Sequence, residues 1–352
     1  MRGRLGWLGV LAGCVAAGAC NDRSPSPTAP MTRPALDGPY RLAGQVSVTL
    51  ESTTVEGAAV TISFDGAEST AVTDATGQFA FPAVPAGHVS VKVVAPGFLT
   101  HYMASDVNAS AADLRLDVIR NAVPFDLTFY RNLARNGLGG GNLSELRPWQ
   151  QNPSVYVRTL TVDTGEMVEP TIVDGLRQVM AESVPELSGN RFQLARFEAG
   201  PEARSTENGW IIVVFWAEPP WPEAWVGRSR IGGPSGLLEL RYNASTRAPS
   251  RNVNSPCESI VRTMQHEMSH AMGFWHTDNN FADLSTPNCA GAGRSERARF
   301  HARIAYSRPP GNADIDDDRT TTDLTVRANA AAPTISCGLE VTSPTPRIPA
   351  GG

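Results

Sequence analysis

The 352-residue chain has no excess of basic charge. Thirty Lys and Arg stand against 35 Asp and Glu, giving a net charge of −5 and a pI near 5.7. A nucleic-acid partner calls for a basic stripe, so none is expected. The body of the chain also lacks any run of about eighteen uncharged apolar residues, and no spanning helix is expected there. Asn136-Gly137-Leu138-Gly139-Gly140-Gly141 is rich in glycine, yet it has neither the preceding strand nor the Lys-Ser/Thr of a phosphate-cradling loop. It reads as a flexible loop. Cysteine is sparse, with five in all. Cys257, Cys289 and Cys337 lie in the body and cannot all pair within one chain; in an oxidising compartment the bridge is Cys257–Cys337 or Cys289–Cys337.

What is present divides along the chain. The 41% hydrophobic share is that of a globular protein, and 27 Pro with 32 Gly point to many turns. The length allows two domains plus tails. Met1-Arg2-Gly3-Arg4 and the apolar run Leu5 to Ala19 read as an export signal over 1–20. Leu11-Ala12-Gly13-Cys14 and Ala17-Gly18-Ala19-Cys20 both resemble the end of a bacterial lipoprotein signal. Cys20 is preferred over Cys14 for lipidation, because the polar tether Asn21-Asp22-Arg23-Ser24-Pro25 follows it directly; an ordinary cleaved signal is the alternative. The mature protein is expected to be exported, either held at the bacterial envelope by this lipid anchor or secreted, and monomeric. Residues 21–39 have linker composition.

Between 40 and 120, short β-type runs recur at Leu42–Leu50, Ala59–Phe64, Gln78–Phe81 and His88–Val94, separated by Asp65-Gly66 and Ala95-Pro96-Gly97. This predicts a small all-β, Ig-like sandwich. Thr73-Asp74-Ala75-Thr76-Gly77-Gln78-Phe79-Ala80-Phe81 followed by Pro85-Ala86-Gly87 resembles the carboxypeptidase regulatory-like domain, which implies a spacer or binding role. His88 and His101 are expected on the surface or in strands. Residues 121–150 read as a connector.

From 151 to 340 strand and helix signals mix, and 341–352 reads as a disordered tail. Val155 to Leu160, Arg191–Glu198, Trp210–Trp216 and Gly236–Tyr242 read as strands, with a helix from Pro170 to Val184. The loop Pro219 to Gly227 carries Trp221 and Trp225, which either line a substrate pocket or cap the core. Ser295–Tyr306 reads as a helix, with His301 on it as a packing residue. Asp314, Asp316, Asp317 and Asp318 read as a solvated turn.

The chemistry concentrates in His266-Glu267-Met268-Ser269-His270-Ala271-Met272-Gly273-Phe274-Trp275-His276, the pattern H-E-x-x-H-x-x-G-x-x-H, which holds three of six histidines. Ser255-Pro256-Cys257-Glu258 supplies a capping box for the helix that carries it. On that helix His266 and His270 share one face and can hold one metal ion. Glu267 can reach a metal-bound water without becoming a ligand. Gly273 can adopt φ > 0, stop the helix and return the chain so that His276 becomes the third ligand. Three neutral imidazoles plus water form the open, four-coordinate arrangement of catalytic Zn2+.

This stretch resembles the signature of the metzincins, a superfamily of zinc endopeptidases, strictly over its eleven residues and more weakly over about 150–310. The matrixin branch is the nearer likeness. The resemblance implies an α+β zincin-like catalytic domain, a mixed twisted sheet plus an active-site helix. It further implies peptide-bond hydrolysis of extracellular proteins or peptides, with Glu267 as general base. The strand rim that pairs with substrate would be Leu237–Leu240. Metzincins place a methionine beneath the metal; no methionine follows Met272 here, and Leu284 or Ser285 stands in its place. That departure keeps a second reading open, a non-catalytic, surface-anchored binding or adhesion lipoprotein retaining the same fold. No prosegment of the cysteine-switch kind is visible.

Overall fold

A computed structural model describes residues 36–108, 112–221, 225–242, 260–281, 283, 293–315, 317–318 and 333–338. The expected signal with Cys14 and Cys20, the helix start at Ser255, Cys257, Cys289, Leu284, Ser285 and the tail 341–352 lie outside the described residues.

The first domain is an all-β sandwich. Its strands are β1 (Tyr40–Val48), β2 (Ala59–Phe64), β3 (Ala67–Val72), β4 (Gln78–Val84), β5 (Gly87–Val94), β6 (His101–Val107) and β7 (Ala112–Val118). One sheet runs β4-β1-β7, with β1 and β7 parallel; the other runs β6-β5-β2-β3 and is antiparallel throughout. Alternation explains the packing. In β5, Val89, Val91 and Val93 are buried while Ser90 and Lys92 face out. These valines meet Leu42, Val46, Val60, Ile62, Phe79, Phe81 and Leu116 in one core. The turn before β4 is built by Asp74. Its carboxylate accepts the Thr76 hydroxyl at 2.7 Å and the amides of Thr76 and Gln78 at 2.8 and 2.9 Å, and Gly77 follows at φ +73°. The Thr76 hydroxyl first, then the two amides, hold the Asp74 carboxyl below its ordinary pKa.

The second domain is a mixed α/β unit. It begins earlier than expected, because the segment read as a connector is folded into it. Helix α1 (Leu127–Arg135) is capped by Asp126, whose side chain accepts from the Phe129 amide, and it ends at Asn136 in the left-handed region. The glycine-rich stretch forms a 3-10 turn at Gly137–Gly139. Phe125, Phe129, Tyr130, Leu133 and Trp149 are buried in the large core. Sequence periodicity missed this because α1 is short and its apolar face is aromatic.

Next come β8 (Ser154–Arg158), helix α2 (Pro170–Ser188), β9 (Arg196–Gly200), β10 (Trp210–Trp216), β11 (Trp225–Arg230), β12 (Gly236–Arg241), helix α3 (Ile260–Ala271), helix α4 (Glu296–Ser307), β13 (Asp317–Asp318) and β14 (Thr334–Gly338). The sheet order is β14-β11-β12-β10-β8-β9. β9, β8, β10 and β12 are mutually parallel, whereas β11 is antiparallel to both β12 and β14. Helix α2 buries Ile172, Val173, Leu176, Val179 and Met180, the predicted stripe, and packs on α3. The expected rim is corrected here. Leu237–Leu240 lies in β12, which is paired on both edges, so it cannot offer free main-chain groups to a substrate. β11 falls within and just after the segment read as a tryptophan loop.

Among the described residues, strand pairing and an ion pair help join the domains. β13 adds in parallel to β6. Arg308, just past α4 and buried, donates to both carboxylate oxygens of Asp117 at 2.8 and 2.9 Å and to the Thr49 hydroxyl at 2.9 Å. His101, the first residue of β6, lies in a strand as one of the two expectations had it and is buried near this pair; burial, then the Arg308 charge, brings its pKa down to about 4. Among the described residues no helix is long and apolar enough to cross a membrane.

Candidate metal centre

Helix α3 places the histidines as its spacing requires. His266 and His270 lie one turn apart and are fully buried. The helix ends at Ala271, and Gly273 takes φ +103°. A side chain there would also strike the Arg147 carbonyl at 2.9 Å, so glycine is required for both conformation and space. The chain turns back and delivers half-buried His276 to the other two.

The three Nε2 atoms converge. They are separated by 2.9 Å (His266–His270), 3.1 Å (His266–His276) and 3.2 Å (His270–His276). Nitrogens on one tetrahedral zinc, at about 2.0–2.1 Å from it, stand about 3.4 Å apart. The set found is a few tenths of an ångström tighter and fits such an ion. His270 Nδ1 donates to the Phe274 carbonyl at 2.7 Å, which leaves the Nε2 lone pair facing the other imidazoles. Burial, then the neighbouring imidazoles, holds His270 well below its ordinary pKa; burial and His266 bring His276 down to about 3. Both are neutral at pH 7, the state a metal ligand needs. Among the described residues this is the one group of His, Cys, Asp or Glu arranged to share a metal.

Glu267 is fully buried, and neither of its carboxylate oxygens has a hydrogen-bond partner. Burial alone drives its pKa well above the usual carboxylate range. An orphaned buried carboxylate costs stability, so its retention beside three converging imidazoles points to chemistry. It presses on β11: a Cβ added to Gly227 would lie 2.6 Å from Glu267 Oε1. β11, absent from the sequence reading, is thus the strand beside the carboxylate. The alternation in Val226-Gly227-Arg228-Ser229-Arg230 was the available signal.

The C-terminal end of α3 is buried and held by distant groups that the sequence did not reveal. The Trp149 indole donates to the Ala271 carbonyl at 2.7 Å, and Gly232 N–H donates to the His270 carbonyl at 2.9 Å. Tyr306 donates its hydroxyl to the Met272 carbonyl at 2.8 Å. The indole and the hydroxyl satisfy carbonyls left over at the helix terminus, while the Gly232 amide shares the His270 carbonyl with the Gly273 amide. Buried and committed in this way, Tyr306 braces the end of α3. Behind the helix, buried Arg294 donates to Ser269 Oγ at 3.1 Å, to the Gln265 carbonyl at 2.5 Å and to Glu186 at 2.5 Å. Backbone Ser295 N–H donates to buried Asp283 at 2.7 Å.

The remaining candidates fall elsewhere. His301 accepts from the Asp126 amide at 2.9 Å and donates to the Arg297 carbonyl at 2.7 Å, among Phe125 and Phe129. It packs, as expected. Trp221 is buried edge-on to Trp216 with Arg228 over its ring, so it caps the core; the side chain of Trp225 lies outside the described residues. Asp314 is paired with Arg131 at 2.5 Å. His88 pairs with Asp106 on the surface at 2.9 Å.

Residues 41–119 match the carboxypeptidase regulatory-like domain family, and the N-terminal sandwich is such a domain. The match covers under a quarter of the chain, so it identifies that domain alone. No curated protein matches the chain. Among solved structures, a DUF3823 family protein from Parabacteroides merdae is similar at 12% identity and a TM-score of 0.21, covering 24% of this chain and 48% of that one. A type II cohesin–X-dockerin complex from Acetivibrio cellulolyticus is similar at 24% identity and a TM-score of 0.20, covering 23% and 58%. The chain spans about half the length of these solved chains, and neither likeness bears on function.

Proposed function

We propose that the chain is a zinc-dependent endopeptidase, exported as a lipoprotein anchored through Cys20 or Cys14, whose second domain is metzincin-like. The observation that carries this reading is the convergence of His266, His270 and His276 beside a buried Glu267 that has no other partner. His266, His270 and His276 would hold a zinc ion, which would supply Lewis acidity and activation of water when bound. The chain's own residues do the rest. Glu267, in its ionised form, would accept a proton from the attacking water and return it to the leaving amine. The His270 hydrogen bond to Phe274 fixes the tautomer that presents Nε2. The bonds from Trp149, Gly232 and Tyr306 keep the helix end from drifting. The regulatory-like sandwich, locked on through Arg308, serves as a spacer between envelope and catalytic domain.

A mixed peptide library digested with zinc-loaded full chain and with Glu267→Ala tests the reading. Cleavage by the wild type alone supports it. Equal cleavage by both would remove Glu267 from the mechanism. No cleavage by either, with zinc bound to both, would shift weight to the non-catalytic binding lipoprotein.

A further inference from the structure

We propose that β14 is a built-in occupant of the peptide-binding edge, so that the C-terminal segment keeps the cleft self-blocked until it is displaced from β11. The proposal rests on the peptidase reading above. Gly227 abuts the Glu267 carboxylate, so β11 flanks the proposed base. A peptide presenting its scissile carbonyl there must be extended and needs main-chain partners, which a strand edge supplies. One edge of β11 is bonded to β12. On the other, β14 pairs antiparallel over Arg230↔Thr334, Ser229↔Ile335, Arg228↔Ser336 and Gly227↔Cys337. The pairing starts at Ile231 N–H, which donates to the Pro333 carbonyl at 2.8 Å. The segment therefore fills the ladder at the residue that touches Glu267.

β14 is also suited to leave. Among the described residues it is an outermost strand of the sheet, bonded on one side, and only five residues long. Thr334 is exposed and Ile335 half-buried, so departure of these residues uncovers little apolar surface. Helix α3 packs on β11 and β12, which hold the site without it.

In a strand, successive amides face opposite edges. Ile335→Pro and Ser336→Pro, made separately in the full chain, therefore remove one amide that faces β11 and one that faces away. Proline is tolerated only at the second position. The expected result is that one variant cleaves the peptide library with kcat/KM raised by up to about tenfold, the scale of one lost ladder bond. The other variant stays within about twofold, and both keep zinc. A synthetic peptide of residues 333–338 carrying Cys337→Ser then inhibits the faster variant competitively. Unchanged or lower cleavage in both variants, with zinc retained and wild type active, overturns the proposal. If neither wild type nor variants cleave, the peptidase reading has failed on its own. Strand blocking is then read from a peptide hydroxamate, a zinc-directed probe: about tenfold tighter binding to one variant supports it, and equal affinity for all three forms overturns it.

Discussion

Two glycines separate the catalytic geometry from mere foldedness. At Gly227, an added methyl would lie 2.6 Å from Glu267 Oε1 and 3.0 Å from its Cγ and Cδ, whereas ordinary contact begins at 3.4 Å. The carboxylate must therefore move by about 0.8 Å. Misplacing a reacting group by about 1 Å costs on the order of a hundredfold in rate. Gly227→Ala should therefore lower kcat by roughly 10- to 100-fold, about 1.4–2.7 kcal/mol of transition-state stabilisation. Zinc content should not change, since the imidazoles are untouched. At Gly175, inside α2, the added methyl meets nothing nearer than Val261 Cγ2 at 3.6 Å. Gly175→Ala should leave kcat alone and raise unfolding free energy by about 0.5–1 kcal/mol, the helix preference for alanine. Steady-state kinetics, zinc content and urea denaturation measure all three quantities. Gly227→Ala with full kcat would show that Glu267 does not need its observed position, and the assignment of the general base would fall.

The domain junction yields two further expectations. Arg308→Met strands a partly exposed Asp117, so a double-mutant cycle with Asp117→Asn should give a coupling of about 1.5–3 kcal/mol in urea denaturation; a value under about 0.5 would mean that the pair does not join the domains. Burial pushes the Asp117 carboxyl up, but Arg308 and Thr49 together outweigh it and hold it below its ordinary pKa. His101 sets a pH window. Its folded pKa near 4 lies below the ordinary 6.5, so the unfolded chain binds the extra proton between these values. Its contribution is complete above pH 6.5 and is lost as pH falls toward 4, by at most about 1.4 kcal/mol per unit. The urea midpoint of zinc-loaded protein should drop between pH 7 and pH 4.5, and by visibly less in His101→Asn.

Local signals were legible where the converging histidines and the turn residues are close in sequence. The four-residue spacing of His266 and His270, the turn at Gly273 and the Asp74 turn depend on neighbours in the chain, and the structure places each as read. Non-local features were not. Resemblance alone assigns Leu237–Leu240 to the substrate rim, but strand order depends on pairing between distant segments, and β12 lies between β11 and β10. The strand beside Glu267 carries Gly, Arg and Ser, the composition of a strand near a solvated cleft, and so resembled a loop. Trp149 and Tyr306 reach α3 from 122 and 34 residues away, a pairing that no periodicity encodes. The role of β14 depends on register with β11, which becomes visible only once both strands are placed.

Zinc stoichiometry and affinity, measured on the full chain as wild type, Glu267→Gln and His276→Ala, decide whether the centre exists at all. The geometry predicts one tightly bound zinc per chain in the first two and affinity weakened at least about a hundredfold in the third. A wild type without tight zinc, or a His276→Ala variant that binds it equally well, would contradict the metal centre and the peptidase reading built on it.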